Sequence, residues 1–241
     1  MKAVILAAGK GTRMKSELPK VLHEIAGKPL AQYVYEAAKG AGAESICYVI
    51  GYGRETVEKR LRRDDVSFAI QDEQLGTGHA VRCAADFIGN TGDVMILCGD
   101  TPLVRESTLK KAASYHTDNA NCVTVLSTRV SEPFGYGRII RDKSGEFVKS
   151  VEEKDATDEE RKVNEVNSGM YIFRAQELID ALSLINNDNA QGEYYLPDTL
   201  EIILSKGGKV GAYVMEDSSE LLGVNDRMQL EMAAKIIADR R

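Results

Sequence analysis

The chain lacks any excess of positive charge: 31 Lys and Arg stand against 37 Asp and Glu, a net charge of −6. That balance excludes a protein built to coat nucleic acid, which needs basic surface to meet phosphate. It also lacks a C-x-x-C pair. Cys47, Cys83, Cys98 and Cys122 are widely spaced, which argues against a zinc site or a redox couple. Cys47, Cys98 and Cys122 lie in apolar runs, where a thiol is usually a small buried hydrophobe. No apolar run reaches transmembrane length, and no basic segment followed by a long apolar one opens the chain. A cytoplasmic protein with reduced thiols and no membrane contact is expected. No internal repeat is evident. Two familiar nucleotide-binding signatures are missing as well. There is no G-x-x-x-x-G-K-[ST], and Met14 occupies the third glycine position of a would-be G-x-G-x-x-G.

What is present starts at the N-terminus. The apolar run Ala3-Val4-Ile5-Leu6 reads as a buried strand. It leads into Leu6-Ala7-Ala8-Gly9-Lys10-Gly11-Thr12-Arg13-Met14, followed by Pro19-Lys20. Gly9 and Gly11 can take positive φ and carry no Cβ, so backbone N–H groups can close around an anion. Arg13 can grip a phosphate through two parallel N–H bonds, and Lys20 adds a point charge. Glycines after a first strand often only turn the chain. Their clustering with two cations at the carboxyl end of a strand, where open α/β sheets bind ligands, favours a polyphosphate loop.

The 241 residues, 43% of them hydrophobic, can bury a sizeable core. Strands and helices alternate through the first half. Strands are expected at residues 2–6, 45–50, 66–70, 93–98 and 122–127, and helices at 30–40, 55–62, 78–87 and 106–116. That order predicts an α/β fold, a mostly parallel, Rossmann-like sheet covered on both faces. The second half changes character. A hairpin is expected at 137–152 around Asp142-Lys143-Ser144-Gly145, strands at 163–173 and 209–215, and helices at 175–184, 197–205 and 227–240. These pieces read as a smaller antiparallel lobe beside the sheet. Residues 1–226 are taken as one domain, and 227–241 as a C-terminal helix leading into a linker arm. The charged run 152–161 reads as a mostly solvated loop.

Several further stretches can carry chemistry. Leu97-Cys98-Gly99-Asp100-Thr101-Pro102 places one carboxylate at a strand's carboxyl edge, where it either ligates Mg²⁺ or makes an Asx-turn. Gln71 offers a donor and an acceptor suited to a base edge, and Gly76 and Thr77 follow at a helix start. His79 reads as a structural histidine, because displacement at phosphorus does not need it. Phe134-Gly135-Tyr136-Gly137-Arg138, Asn164-Glu165-Val166-Asn167-Ser168-Gly169 and Gly223-Val224-Asn225-Asp226 are each, alone, ordinary turns or caps, with Asn225 or Asp226 as the N-cap of the last helix.

Together these stretches resemble the sugar nucleotidyltransferases. The residues that carry the resemblance are 6–14, Leu18-Pro19-Lys20-Val21-Leu22-His23, Glu73-Gln74-Leu75-Gly76-Thr77-Gly78-His79-Ala80, Gly135-Tyr136-Gly137-Arg138-Ile139 and Gly223-Val224-Asn225. The third and fourth point to the uridyltransferase domains that form UDP-N-acetylglucosamine and pyrophosphate from UTP and N-acetylglucosamine 1-phosphate. The resemblance implies that Leu6, Ala7, Ala8 and Gly9 hold the nucleotide, with Gln71, Gly76 and Thr77 at the uracil. It implies phosphate binding and catalysis by Arg13 and Lys20. Asp100 and Asn225 would ligate Mg²⁺, and Gly137, Glu152 and Asn167 would hold the amino-sugar. Cys98 and Gly99 join the substrate-binding set, Cys98 standing where relatives often carry Tyr. The family's β-helix of hexapeptide repeats is not found in these 241 residues, so no acetyltransferase activity and a monomer are expected. Other readings are a nucleotidyltransferase for glucose 1-phosphate, or a regulatory nucleotide-binding module without turnover.

Overall fold

Along the first strand, Val4 faces one way and Ala3, Ile5 and Ala7 face the other, and all four are buried. A strand buried on both faces belongs in the middle of a sheet covered on both sides. The computed structural model, which describes residues 1–240, contains that sheet. Its strands are β1 (Lys2–Ala7), β4 (Ser45–Ile50), β5 (Val66–Ile70), β6 (Asp93–Cys98), β7 (Val123–Arg129), β10 (Glu165–Arg174) and β11 (Val210–Val214). Two small ribbons, β2 (Glu24–Ile25) with β3 (Lys28–Pro29) and β8 (Arg138–Arg141) with β9 (Phe147–Val151), complete the set. The helices are α1 (Leu30–Gly40), α2 (Arg54–Leu61), α3 (Thr77–Cys83), α4 (Ala85–Ile88), α5 (Glu106–Asp118), α6 (Asp158–Arg161), α7 (Ala175–Leu182), α8 (Asp198–Ser205) and α9 (Arg227–Asp239).

The strand order is β11-β7-β10-β6-β1-β4-β5. Neighbours pair in parallel except at β10, which runs antiparallel to both β6 and β7. The antiparallel strands of the second half therefore divide. β8 and β9 form the small lobe, tied to the sheet by the Val166–Arg138 pair, while β10 enters the sheet itself. One core packs α3, α4, α7 and α8 against Val4, Val49, Ile96, Val125 and Phe173; the other packs α1, α2 and α5 against Ile5, Tyr48, Leu97 and Ile172. A third cluster joins Ala233 of α9 to Met14, Ile25, Leu30, Leu103 and Val224.

Four local features differ from the sequence reading. The helix expected over 78–87 breaks at Ala84, whose N–H bonds back to Val81 O at 3.0 Å in a tightened last turn. The β2–β3 ribbon turns through Ala26 and Gly27, both with positive φ (51° and 76°), a turn that an Ala-Gly pair does not advertise. Within 152–161, α6 is nucleated by a reciprocal capping box between Thr157 and Glu160. Asn167-Ser168-Gly169, read as a turn, is a bulge inside β10. The register shifts between Asn167 and Tyr171, and Gly169 takes φ +74°.

Candidate active site

The carboxyl ends of β1 and β6 are drawn together tightly. Gly99 N donates to Leu6 O at 2.9 Å, and a Cβ on Gly99 would lie 2.8 Å from that oxygen. Ala8 O accepts from Tyr52 N at 3.1 Å. The carbonyls of Leu6 and Ala8 are thus spent on holding the loop. Leu6, Ala7, Ala8 and Gly9 line one wall of a cavity of about 300 Å³, with Lys20, Gln71, Gly76, Thr77, Cys98 and Asp100 around it. Of the two loop glycines only Gly11 takes the left-handed conformation, at φ +63°. A Cβ there would stand 2.6 Å from Lys20 Cβ, so the bare Gly11 backbone makes room for the Lys20 stem. Arg13 sits on an exposed 3-10 turn, Thr12–Met14, anchored by buried Met14. It makes no hydrogen bond or ion pair among the described residues, and it is not on the cavity wall.

Lys20 is the half-buried cation of the site. Its ammonium pairs with the Asp100 carboxylate and lies 3.0 Å from Asn225 Oδ1. The two loops that supply these oxygens are joined by a bond from Val224 N to Asp100 O, 2.8 Å. Asn225 is fixed in turn by the start of α9, since Gln229 Oε1 accepts from Asn225 N at 2.8 Å. The N-cap of α9 is Asp226, which accepts from Gln229 N at 2.8 Å. Asn225 is therefore left free to face Lys20. The oxygens of Asp100 and Asn225 converge on one cation, and both are hard donors, which suits Mg²⁺. No cluster of three or more His, Cys, Asp and Glu with metal-binding geometry occurs among the described residues. An ion here would complete its shell from water and phosphate oxygens.

At the base end, Gln71 is only 3% exposed, and its Nε2 donates to Gly76 O at 3.1 Å. Gly76 takes φ +110°, and a Cβ there would lie 2.6 Å from Tyr194 O. The cause is the segment 193–196. Tyr194 N bonds Leu75 O and Gly78 N bonds Tyr194 O, both at 2.8 Å, and Leu196 N donates to Thr77 Oγ1 at 3.2 Å. This strap backs the whole Leu75–Gly78 turn.

A second cavity of about 220 Å³ adjoins the first and shares Leu6, Thr77 and Cys98 with it. Gly137, Glu152 and Asn167 all line it. A Cβ on Gly137 would meet the Glu152 carboxylate at 3.2 Å. That carboxylate has no hydrogen-bond partner among the described residues. Burial, reinforced by Asp198 and Asp155, pushes its pKa up. Asn167 is well occupied. Its Nδ2 reaches Ser150 Oγ (3.1 Å) and Tyr171 Oη (2.8 Å), and its Oδ1 accepts from Gly169 N at 2.8 Å. A sugar would have to displace one of these partners. The Cys98 thiol, bonded to Gly169 O at 3.4 Å, is pushed up to about 12 by burial and stays neutral.

Sequence reasoning missed Gln74 and Glu193 on the first cavity and Tyr136, Leu196 and Pro197 on the second. Gln74 and Tyr136 fall within the stretches that carry the family resemblance. Glu193, Leu196 and Pro197 carried no signal, because their role comes from a strap that reaches across more than a hundred positions of chain.

The family description Nucleotidyl transferase matches residues 2–222, and the chain belongs to that family. Among known proteins it is similar to the bifunctional protein GlmU of Caldanaerobacter subterraneus subsp. tengcongensis, with 54% identity over 99% of this chain and 52% of that protein. It is 48% identical to the bifunctional protein GlmU of Clostridioides difficile, over 99% of this chain and 52% of that protein. The chain spans about half the length of these curated relatives. The solved structure of UDP-glucose pyrophosphorylase complexed with UDP-glucose shares the fold, with a TM-score of 0.79 at 24% identity over 100% of this chain and 99% of that one.

Proposed function

We propose that the chain transfers a uridylyl group from UTP to N-acetylglucosamine 1-phosphate, releasing pyrophosphate and forming UDP-N-acetylglucosamine. The observation that carries this reading is the pair of adjoining cavities, joined at Leu6, Thr77 and Cys98, with Lys20 and Asp100 on the wall of the first. Motifs that resemble the uridyltransferases fall on both cavities, and relatives near 50% identity cover the chain.

An oxygen of the sugar phosphate attacks the α-phosphorus in line as the bond to the β-phosphate oxygen breaks, and pyrophosphate leaves with that electron pair. The attacking oxygen is already ionised, so no general base is needed. The obstacle is the repulsion of two polyanions, and catalysis is positioning plus charge stabilisation. The Leu6–Gly9 backbone and Gln71, Gly76 and Thr77 hold the nucleotide. Gly137, Glu152 and Asn167 orient the amino-sugar. Lys20 turns from Asp100 toward the phosphates, and Arg13, free on its exposed turn, swings in to the leaving pyrophosphate. Mg²⁺ would be held by Asp100 and Asn225, and when bound it supplies Lewis-acid charge at the phosphates. Work as a monomer in the cytoplasm belongs to the same reading. No helix among the described residues is long and apolar enough to cross a membrane. A coupled pyrophosphate assay with UTP, Mg²⁺ and N-acetylglucosamine 1-phosphate tests it. Release dependent on all three is the expected result, and its absence rejects the proposal.

A further inference from the structure

His79 stands on the first turn of α3 with its Nδ1 3.2 Å from Gln71 Nε2. The same Gln71 nitrogen lies 3.1 Å from Gly76 O. A carbonyl oxygen can only accept, so the amide end that faces Gly76 must be the NH₂ group. Its second N–H then points at His79, whose Nδ1 has to offer a lone pair. The ring proton is left on Nε2, which looks toward Cys83 Sγ at 3.9 Å. Burial pushes the Cys83 pKa up, so that sulfur stays a neutral thiol. Tyr194 of the strap packs beside the imidazole at a centroid distance of 6.5 Å, and the Arg82 guanidinium covers that tyrosine at 4.9 Å. The imidazole is thereby held in place.

Both Gln71 amide protons are now consumed by the protein. The group left to the cavity is Oε1, which has no donor among the described residues. We propose that His79 is a positioning residue for base recognition. It locks the Gln71 carboxamide with its oxygen toward the cavity, so the site takes a pyrimidine that presents an N–H there. Uracil N3 carries a hydrogen and satisfies that oxygen. Cytosine N3 carries a lone pair and opposes it, and turning the amide over would set its oxygen against Gly76 O and His79 Nδ1. This deepens the uridylyl-transfer reading and rests on it. A site built around one hydrogen bond rejects an analogue that lacks it because a buried polar group is left unpaired.

The test is pyrophosphate release with UTP and with CTP by the wild type, H79L and H79N. Leucine keeps bulk and removes the acceptor, while asparagine places an oxygen near the former Nδ1. The ratio of kcat/KM for UTP over CTP is expected to fall about tenfold in H79L, the size of one lost hydrogen bond, through a raised KM for UTP and with kcat within about threefold of wild type. H79N is expected to recover most of the ratio. An unchanged ratio in H79L, or an H79N indistinguishable from it, overturns the proposal. Should H79L fail to fold, the ¹⁵N shifts of His79 in the wild-type protein decide, and a proton on Nδ1 is the overturning result. If the wild type releases no pyrophosphate from UTP, the uridylyl-transfer reading falls. Calorimetric binding of UTP against CTP to wild type and H79N, with the ¹⁵N shifts, then judges His79 separately.

Discussion

Lys20 and Asn225 are 205 positions apart in the chain, yet Lys20 Nζ lies 3.0 Å from Asn225 Oδ1, with the Asp100 carboxylate on the same ammonium. A side-chain cation thus occupies the meeting point of two oxygens suited to a divalent ion. Both cannot stay there together. Removing the ammonium in Lys20→Met is expected to tighten Mn²⁺ binding without nucleotide by about tenfold, or ~1.4 kcal/mol, read by electron paramagnetic resonance titration. Turnover should fall at the same time by about two to four orders of magnitude, as loss of a charge aimed at the transition state does. Asp100→Ala should lose both turnover and metal affinity with its circular dichroism unchanged. Full activity in either variant removes these residues from the proposed mechanism.

The Glu152 carboxylate lines the second cavity with no hydrogen-bond partner among the described residues, so its effect should fall on one substrate. Glu152→Ala is expected to raise KM for N-acetylglucosamine 1-phosphate by about 10–100-fold, the loss of a hydrogen bond to a charged group, with KM for UTP changed little. Glucose 1-phosphate should be a poor substrate of the wild type. Equal use of the two sugar phosphates would show that Glu152 and Asn167 do not select the acetamido group.

Gly76 and Gly135 separate strain from space. Gly76 combines φ +110° with a Cβ position 2.6 Å from Tyr194 O, whereas a Cβ on Gly135, at φ +86°, would meet nothing within 4 Å among the described residues. Gly135→Ala should cost about 1 kcal/mol, the backbone penalty alone. Gly76→Ala should cost about 2–4 kcal/mol, because the strap must also shift. Urea denaturation of the two variants measures the gap; equal costs would mean that the strap yields freely.

Asp198 opens α8, and its pKa is raised from 3.8 to about 6, first by burial and then by Glu201 and Asp155. A folded-state pKa above the unfolded one means the native state favours the proton. The associated stability is complete below 3.8 and lost as pH rises through about 6. Asp198→Asn mimics the neutral acid, so its advantage over wild type should be absent at pH below 3.8, grow as pH rises to about 6 and level off above that. A Tm gain of about 2–4 °C at the upper end corresponds to ~1 kcal/mol in a domain of this size. A gain that does not vary with pH would assign the effect to something other than this proton.

The readable parts of the chain were those where neighbours in sequence settle the outcome. Unbroken apolar runs marked β1, β4 and β6, and helical spacing marked α1 and α5. Gly11 and Lys20 were picked out by residue type, and the structure sets one against the other. Local signals misled where a long-range partner decided. Asn167-Ser168-Gly169 looks like a turn, but pairing with β7 on one side and Cys98 Sγ 3.2 Å from the missing Cβ of Gly169 on the other make it a bulge. His79 looked structural, and only its distance to Gln71 gives it a task.

Sequence by itself determined most of the strands and helices, the two-faced sheet, the glycine-bearing loop at its edge and the kinds of charge that loop carries. Those follow from backbone sterics and hydrophobic period, which act over a few residues. Tertiary structure alone decided that β10 runs antiparallel between β6 and β7, that residues 193–196 brace the Gly76 turn, and that Lys20 stands between Asp100 and Asn225 while Arg13 stays outside. These contacts join residues 36 to 205 positions apart. Their free energy comes from burial and charge pairing that exist only once the sheet has fixed which loop ends share an edge.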